Sequence, residues 1–469
     1  MSLRVLAVAA ECFPLVKTGG LADVVGALPG ALAGEAIGVT TLLPGYPAVL
    51  AALEGAEAVR DWGGLFGGSA RLLRGRARGL DLLVLEAAHL FGREGNPYIG
   101  PDGQDWPDNA LRFAALGRAA ADAAEGFDAV HAHDWQAGLA GAYLRGARPL
   151  VFTIHNLAFQ GRYEAEVFPR LGLPAKAFSI DGVEFYGGVG FLKAGLYYAD
   201  RITTVSPTYA AEICTPEGGW GLDGLLRHRA AALSGILNGL DTAEWDPATD
   251  RRLAAAFSAA EPGGRPANRA ALLARFGLEE GGPLFLFVGR LTLQKGIDLV
   301  LDALPALLAE GGRLAILGTG DRALEARCRE AAAAHPGRVG AAIGFDEGLA
   351  RLGYGGADSV LVPSRFEPCG LAQLCALRYG APPVVARVGG LADTVIDANE
   401  AALAAGAATG VQFAPPSAAA LAGALRRMAA LHRDGPAFAA LQRAALGADV
   451  SWARSARRYG TLFRELVHA

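Results

Sequence analysis

Lys17, Arg290, Lys295 and Glu367 are the residues whose types and settings point to chemistry. Of 43 basic residues only four are lysine, at positions 17, 176, 193 and 295, so a lysine inside a glycine-rich loop is not filler in this chain. Lys17-Thr18-Gly19-Gly20-Leu21-Ala22-Asp23 follows the first apolar run, and Gly289-Arg290-Leu291-Thr292-Leu293-Gln294-Lys295-Gly296 follows a later one. A strand ending in a glycine turn that opens a helix leaves N–H donors and positive partial charge at the turn. On the second loop, a guanidinium with bidentate donors and a compact ammonium together suit a diphosphate and would stabilise charge on a phosphate leaving group.

Other stretches carry weaker signals of the same kind. Pro363-Ser364-Arg365-Phe366-Glu367-Pro368-Cys369-Gly370-Leu371 follows a strand and turns into a helix, which places the Glu367 carboxylate beside helix N–H donors, where it reads as a partner for sugar hydroxyls or as a plain helix-dipole partner. His131-Ala132-His133-Asp134-Trp135 and His155-Asn156 each close a strand. The spacing of His131 and His133 invites a zinc reading, but no cysteine or further histidine pair supports it, and no metal is expected. Asp134 reads either as a helix N-cap or as a site residue, and His155 either as an ordinary hydrogen-bonded histidine or as a ligand contact. Gly318-Thr319-Gly320 is a weak nucleotide signal, and Asn238-Gly239 marks a turn or hinge. Gly-Gly-Leu-Ala-Asp recurs at 389–393, preceded by Arg387-Val388, which suggests two similar halves.

These residues need a scaffold that brings strand ends together. At 469 residues the chain divides naturally into two domains. A net charge of −4 without runs of like charge argues against nucleic-acid or membrane-surface partners. Five cysteines, an odd number with no C-x-x-C pair, fit reduced thiols, and no apolar run is long enough to cross a bilayer, so a cytoplasmic protein is expected. Apolar runs at 3–9, 39–43, 71–73, 82–85, 129–132, 151–154 and 202–205, alternating with helical patterns, predict a mostly parallel α/β sheet. Periodicity weakens over 240–282 and then resumes with strands at 284–288, 314–317, 339–343, 360–362 and 384–386. The reading is an N-terminal domain over 1–242, a second doubly wound domain over 243–449, and a terminal helix over 450–469 that packs back on the first.

Taken together and in order, the Lys17 loop, His133-Asp134-Trp135, His155-Asn156, Arg290 with Lys295, and Arg365 to Leu371 resemble the bacterial glycogen synthases and plant starch synthases over essentially the whole chain. The resemblance implies the GT-B fold, two Rossmann-like domains facing across a deep cleft and closing by rotation near 240–250. It implies a retaining glucosyltransferase that uses ADP-glucose as donor substrate, with no cofactor or metal, to extend glycogen or another α-1,4-glucan. By the same resemblance Arg290 and Lys295 hold the diphosphate, and Glu367 with Cys369, Gly370 and Leu371 holds the glucose. Lys17, Gly19, Gly20 and Asp23 belong to a phosphate-facing loop, His155 and Asp134 lie near the sugars, and Asn238, Gly320, Phe345, Gly389 and Gly390 contact the nucleotide sugar. The chain departs from the pattern at Cys375, where the wider group has a second glutamate, at Ala372 for a threonine, and at Phe345 for a stacking tyrosine. Alternatives are a related transferase using UDP-glucose or a small acceptor, and a non-catalytic glucan-binding protein on the same fold.

Overall fold

The structure, a computed structural model, describes residues 2–468. The chain forms two compact units, Met1–Asn238 with Trp452–Ala469, and Gly239–Ser451.

The first unit is built on strands β1 (Leu3–Val8), β2 (Ile37–Pro44), β3 (Glu54–Leu65), β4 (Gly68–Ala77), β5 (Leu80–Glu86), β6 (Ala129–His133) and β7 (Leu150–Ile154). A small antiparallel sheet, β8 (Arg162–Tyr163), β9 (Glu184–Phe185) and β10 (Gly188–Gly190), follows, then β11 (Arg201–Thr204) and β12 (Leu233–Gly235). The large sheet runs β12-β11-β7-β6-β1-β2-β5-β4-β3 and is parallel except where β4 joins β5 and β3. Strands β1, β6 and β7 are almost continuously buried, as expected where helices cover both faces of a parallel sheet. Chain order reverses between β1 and β6, and a ligand of such a sheet lies outside the strand carboxyl ends at that reversal.

The last helix, Ala453–His468, belongs to this unit. Ala456, Tyr459, Phe463 and Leu466 recur at helical spacing and pack with Val24, Leu28 and Leu32 of the Gly20–Ala33 helix. The rings of Tyr459 and Phe463 also lie 5.4 and 5.6 Å from that of His131, so the chain's end lies against the histidine strand.

The second unit contains β13 (Leu284–Val288), β14 (Arg313–Gly318), β15 (Val339–Ile343), β16 (Ser359–Val362), β17 (Val384–Ala386) and β18 (Val411–Phe413), all parallel, in the order β15-β14-β13-β16-β17-β18. Counted within the unit this is the 3-2-1-4-5-6 arrangement of a doubly wound nucleotide-binding sheet, with its reversal between β13 and β16. Asp250, Glu244 and Glu347 surround the buried Arg351, whose guanidinium stacks 4.0 Å from Trp245, so the segment after Gly239 is fastened to this unit. Arg378 adds a 2.9 Å ion pair to Asp246.

Candidate active site

In the second unit the two loops at the sheet reversal meet. Lys295 Nζ lies 2.6 Å from Glu367 Oε2, although the residues are 72 positions apart. Gly296, at φ +73°, makes this possible: a Cβ there would sit 2.2 Å from the Pro363 carbonyl oxygen, so only glycine lets the β13 loop lie on the β16 loop. Arg365 clamps the same loop from the other side through both oxygens of Asp298, at 2.8 and 2.6 Å. Ser364 donates to Glu367 Oε2 at 2.8 Å, so both contacts fall on one oxygen and Oε1 makes no hydrogen bond among the described residues. Arg290 is exposed, and among the described residues its guanidinium hydrogen-bonds only to Gln294, at 3.4 Å, and forms no ion pair. The loop thus offers one unneutralised guanidinium, one ammonium shared with a carboxylate, and one open carboxylate oxygen.

The second Gly-Gly-Leu-Ala-Asp turn differs from the expected open backbone contact. Gly390 N–H donates to the Glu367 and Pro368 carbonyls, each at 3.1 Å. A Cβ on Gly389 would fall 2.1 Å from the Glu367 oxygen, and one on Gly390 would fall 2.3 Å from the Cys369 oxygen. These glycines let the Gly389–Thr394 helix support the Glu367 loop from beneath. Gly370 has φ +80° and packs on Gln373, whose amide donates to the Cys369 and Gly370 carbonyls at 2.9 and 3.0 Å. Cys369 is buried, and Leu371 stands at the start of the Ala372–Arg378 helix. Gly320 N–H is held at 3.0 Å by Glu325, which also accepts from Thr319 Oγ1 at 2.7 Å. Phe345 is 87% exposed, a bare ring on a loop.

In the first unit Lys17 pairs with Asp23 at 2.7 Å and keeps 43% of its side chain exposed. The N–H groups expected to face a ligand at this turn are instead held by Glu11. Its carboxylate accepts from the Thr18 and Gly19 backbone, from Thr18 Oγ1 at 2.6 Å and from the Tyr98 hydroxyl. Gly19 and Gly20 are exposed, and a Cβ at Gly19 would meet open space. At the ends of β6 and β7, Asp134 does not cap a helix; it sits at φ +56°, and its Oδ1 accepts from the N–H groups of His155 at 2.7 Å and Asn156 at 3.4 Å. His133 Nδ1 lies 3.0 Å from His155 Nε2, and His131 Nε2 lies 2.6 Å from Thr153 Oγ1. Burial pushes the pKa of His131 and of His155 down to about 3, so both rings are neutral at physiological pH. Asn238, the last residue of this stretch, has a buried Oδ1 with no hydrogen-bond partner among the described residues.

Comparison with known proteins shows the family of the chain. Residues 4–228 match the family model of the starch synthase catalytic domain, and residues 268–434 match that of glycosyl transferases group 1. The chain is 58% identical to the glycogen synthase of Rhodopseudomonas palustris strain HaA2 over 480 aligned residues, covering 100% of both chains. It is also 58% identical to that of Acidiphilium cryptum strain JF-5, covering 99% of this chain and 100% of the relative. The chain belongs to the glycogen synthase family. As a glycogen synthase relative it is a glycosyltransferase of the GT-B fold class. The catalytic domain of starch synthase IV from Arabidopsis thaliana, solved with ADP and acarbose, superposes with a TM-score of 0.88 at 29% identity over 100% of both chains. Sucrose-phosphate synthase from Thermosynechococcus elongatus shares the fold alone, with a TM-score of 0.62 at 21% identity over 99% of both chains.

Two residues that shape these loops, Glu11 and Ser364, are not singled out by the sequence. The signal for Glu11 is a lone acid just past the carboxyl end of an apolar run, seven positions before Thr18. Ser364, within the Pro363 to Leu371 stretch, carries no sequence signal of its hydrogen bond to Glu367.

The Asp134 environment has a consequence for stability. Burial raises its pKa from 3.8 to about 7, the His155 and Asn156 N–H groups pull it back down, and Glu11 adds to the rise. Folded protein therefore holds a proton that the unfolded chain gives up, and stability falls as pH rises from about 4 to about 7, then levels. Asp134→Asn keeps an acceptor for His155 and removes this cost. Its advantage over wild type should grow across that range by on the order of 4 kcal/mol. Denaturant midpoints at several pH values measure it, and a difference independent of pH would contradict the assignment.

Proposed function

We propose that this protein transfers glucose from ADP-glucose to the non-reducing 4-hydroxyl of an α-1,4-glucan, with retention of anomeric configuration. The observation that carries the proposal is the Lys295–Glu367 contact beside the unpaired Arg290, at the reversal of a nucleotide-binding sheet. On this reading Arg290 and Lys295 bind the diphosphate and stabilise the departing phosphate. Glu367 Oε1 accepts from a glucose hydroxyl while Lys295 and Ser364 keep the carboxylate in place. Lys17 adds a further cation to the reacting diphosphate. His155, neutral and fixed by His133 and Asp134, offers the sugar a hydrogen bond and no charge. The starch synthase relative solved with ADP and acarbose supports both a nucleotide-sugar donor and a glucan-type acceptor.

A double displacement needs a carboxylate nucleophile at the anomeric carbon. Glu367 is already engaged by Lys295 and Ser364, and Asp134 by backbone N–H groups, so front-face attack through an oxocarbenium-like state fits better. The departing phosphate then helps to remove the acceptor proton. Because Arg290, Lys295 and Lys17 neutralise the leaving group, turnover should persist in excess chelator. NMR of the first-formed linkage tests the stereochemistry: an α-anomeric signal supports retention, and a β signal, or a trapped glucosyl adduct on Glu367 or Asp134, overturns the mechanism.

A further inference from the structure

Outside the residues assigned above, the first unit carries an unusual aromatic surface. The β9–β10 hairpin turns through Tyr186-Gly187, at φ +48° and +80°. Two consecutive positive φ values are the geometry of a turn that favours Asn-Gly. Here tyrosine occupies the asparagine position, and it is 68% exposed. The same pair of angles recurs at Trp220-Gly221, +50° and +83°, with Trp220 53% exposed. Hairpins at Phe66-Gly67 and Arg78-Gly79 share the turn, so the turn alone is no signal. What distinguishes these two is that they meet: a Cβ on Gly221 would lie 3.1 Å from the Tyr186 ring.

A third exposed ring joins them. Phe159, 55% exposed, lies on the loop that leaves His155, and its neighbour Gln160 donates to the Trp220 carbonyl at 3.0 Å. Arg162 donates to the Tyr186 carbonyl at 2.9 Å, so side-chain hydrogen bonds tie both tips to this loop. Bulky residues held at positive φ are outliers that persist where surrounding structure enforces them, and they gather at ligand clamps. Exposed rings interleaved with amide and guanidinium groups suit the face of a pyranose, apolar on its C–H side and ringed by hydroxyls.

We propose that Phe159, Tyr186 and Trp220 form a docking track for the α-glucan chain, continuous with the His155 loop. The inference rests on the glucan-acceptor reading given above. A second hold on a polymer raises the effective concentration of its chain ends without touching the reacting centre.

Tyr186→Asn and Trp220→Asn place the residue the turn prefers, so the double variant should fold at least as well as wild type. Its KM for glycogen should rise about tenfold, with kcat and the KM values for ADP-glucose and maltotriose unchanged. Tyr186→Phe with Trp220→Tyr keeps the rings and should behave as wild type. Native electrophoresis in gels containing glycogen reads binding without catalysis: wild type should be retarded and the Asn variant should run freely. Equal retardation of the two, an unretarded wild type, or a matching rise in the maltotriose KM would overturn the track. Wild type that is retarded by glycogen yet transfers no glucose would refute the proposed function and leave the track standing.

Discussion

Lys295→Ala is expected to lower kcat by about 10²- to 10³-fold, the cost of removing one preorganised donor from a leaving group. The same change should also destabilise the fold, because the Glu367 side chain is only 8% exposed and would lose its cation. Ser364 still donates to it, which limits that loss to about 2 kcal/mol. The two effects separate in the Lys295→Ala, Glu367→Gln double variant. A neutral amide at 367 removes the unpaired charge, so thermal stability should return while turnover stays low. If activity returned with stability, the lysine would serve the fold rather than the reaction.

Lys17→Ala should show the opposite balance. Its side chain is 43% exposed, and its pair with Asp23 is a surface ion pair worth about 0.5 kcal/mol, so unfolding should hardly change. Turnover should still fall by about 10²-fold if this cation meets the reacting diphosphate. Lys17→Arg sharpens the test, since the chain uses arginine nearly everywhere else. A planar fork cannot reproduce a point ammonium, and less than about a tenth of the lost rate should return. Full recovery in the arginine variant would reduce Lys17 to a generic positive charge.

Much of the second unit was legible because its strands are short, mostly apolar and punctuated by glycine turns. Leu284–Val288, Val339–Ile343 and Val384–Ala386 follow directly from the apolar runs. The strands that escaped notice lacked that signal. Glu54–Leu65 is exposed along nearly its whole length and shows no alternation, and Leu233–Gly235 and Val411–Phe413 are three-residue edge strands.

The same contrast holds at the site. Arg290, Lys295 and Glu367 stood out by type and by loop context, whereas side-chain pairing is a property of the folded chain. Nothing in the letters said that Glu367 would be held by Lys295 and Ser364 through one oxygen, or that Glu11 would occupy the N–H groups of Thr18 and Gly19. The repeated Gly-Gly-Leu-Ala-Asp was a true repeat of sequence, and each copy opens a helix, the first at its second glycine, Gly20, and the second at its first, Gly389. It was not a repeat of role. One turn is exposed and bound by a buried carboxylate, while the other is pressed against the Glu367 loop. Glycine marks both freedom of conformation and closeness of approach, and the sequence does not distinguish them.

The central claim is glucan extension from an adenine nucleotide sugar. Nucleotide release measured side by side from ADP-glucose and UDP-glucose, each with and without glycogen, tests it most directly. The account predicts glycogen-dependent release of ADP, at least about tenfold faster than release of UDP. Faster release from UDP-glucose, or no glycogen-dependent release from either donor, would contradict it.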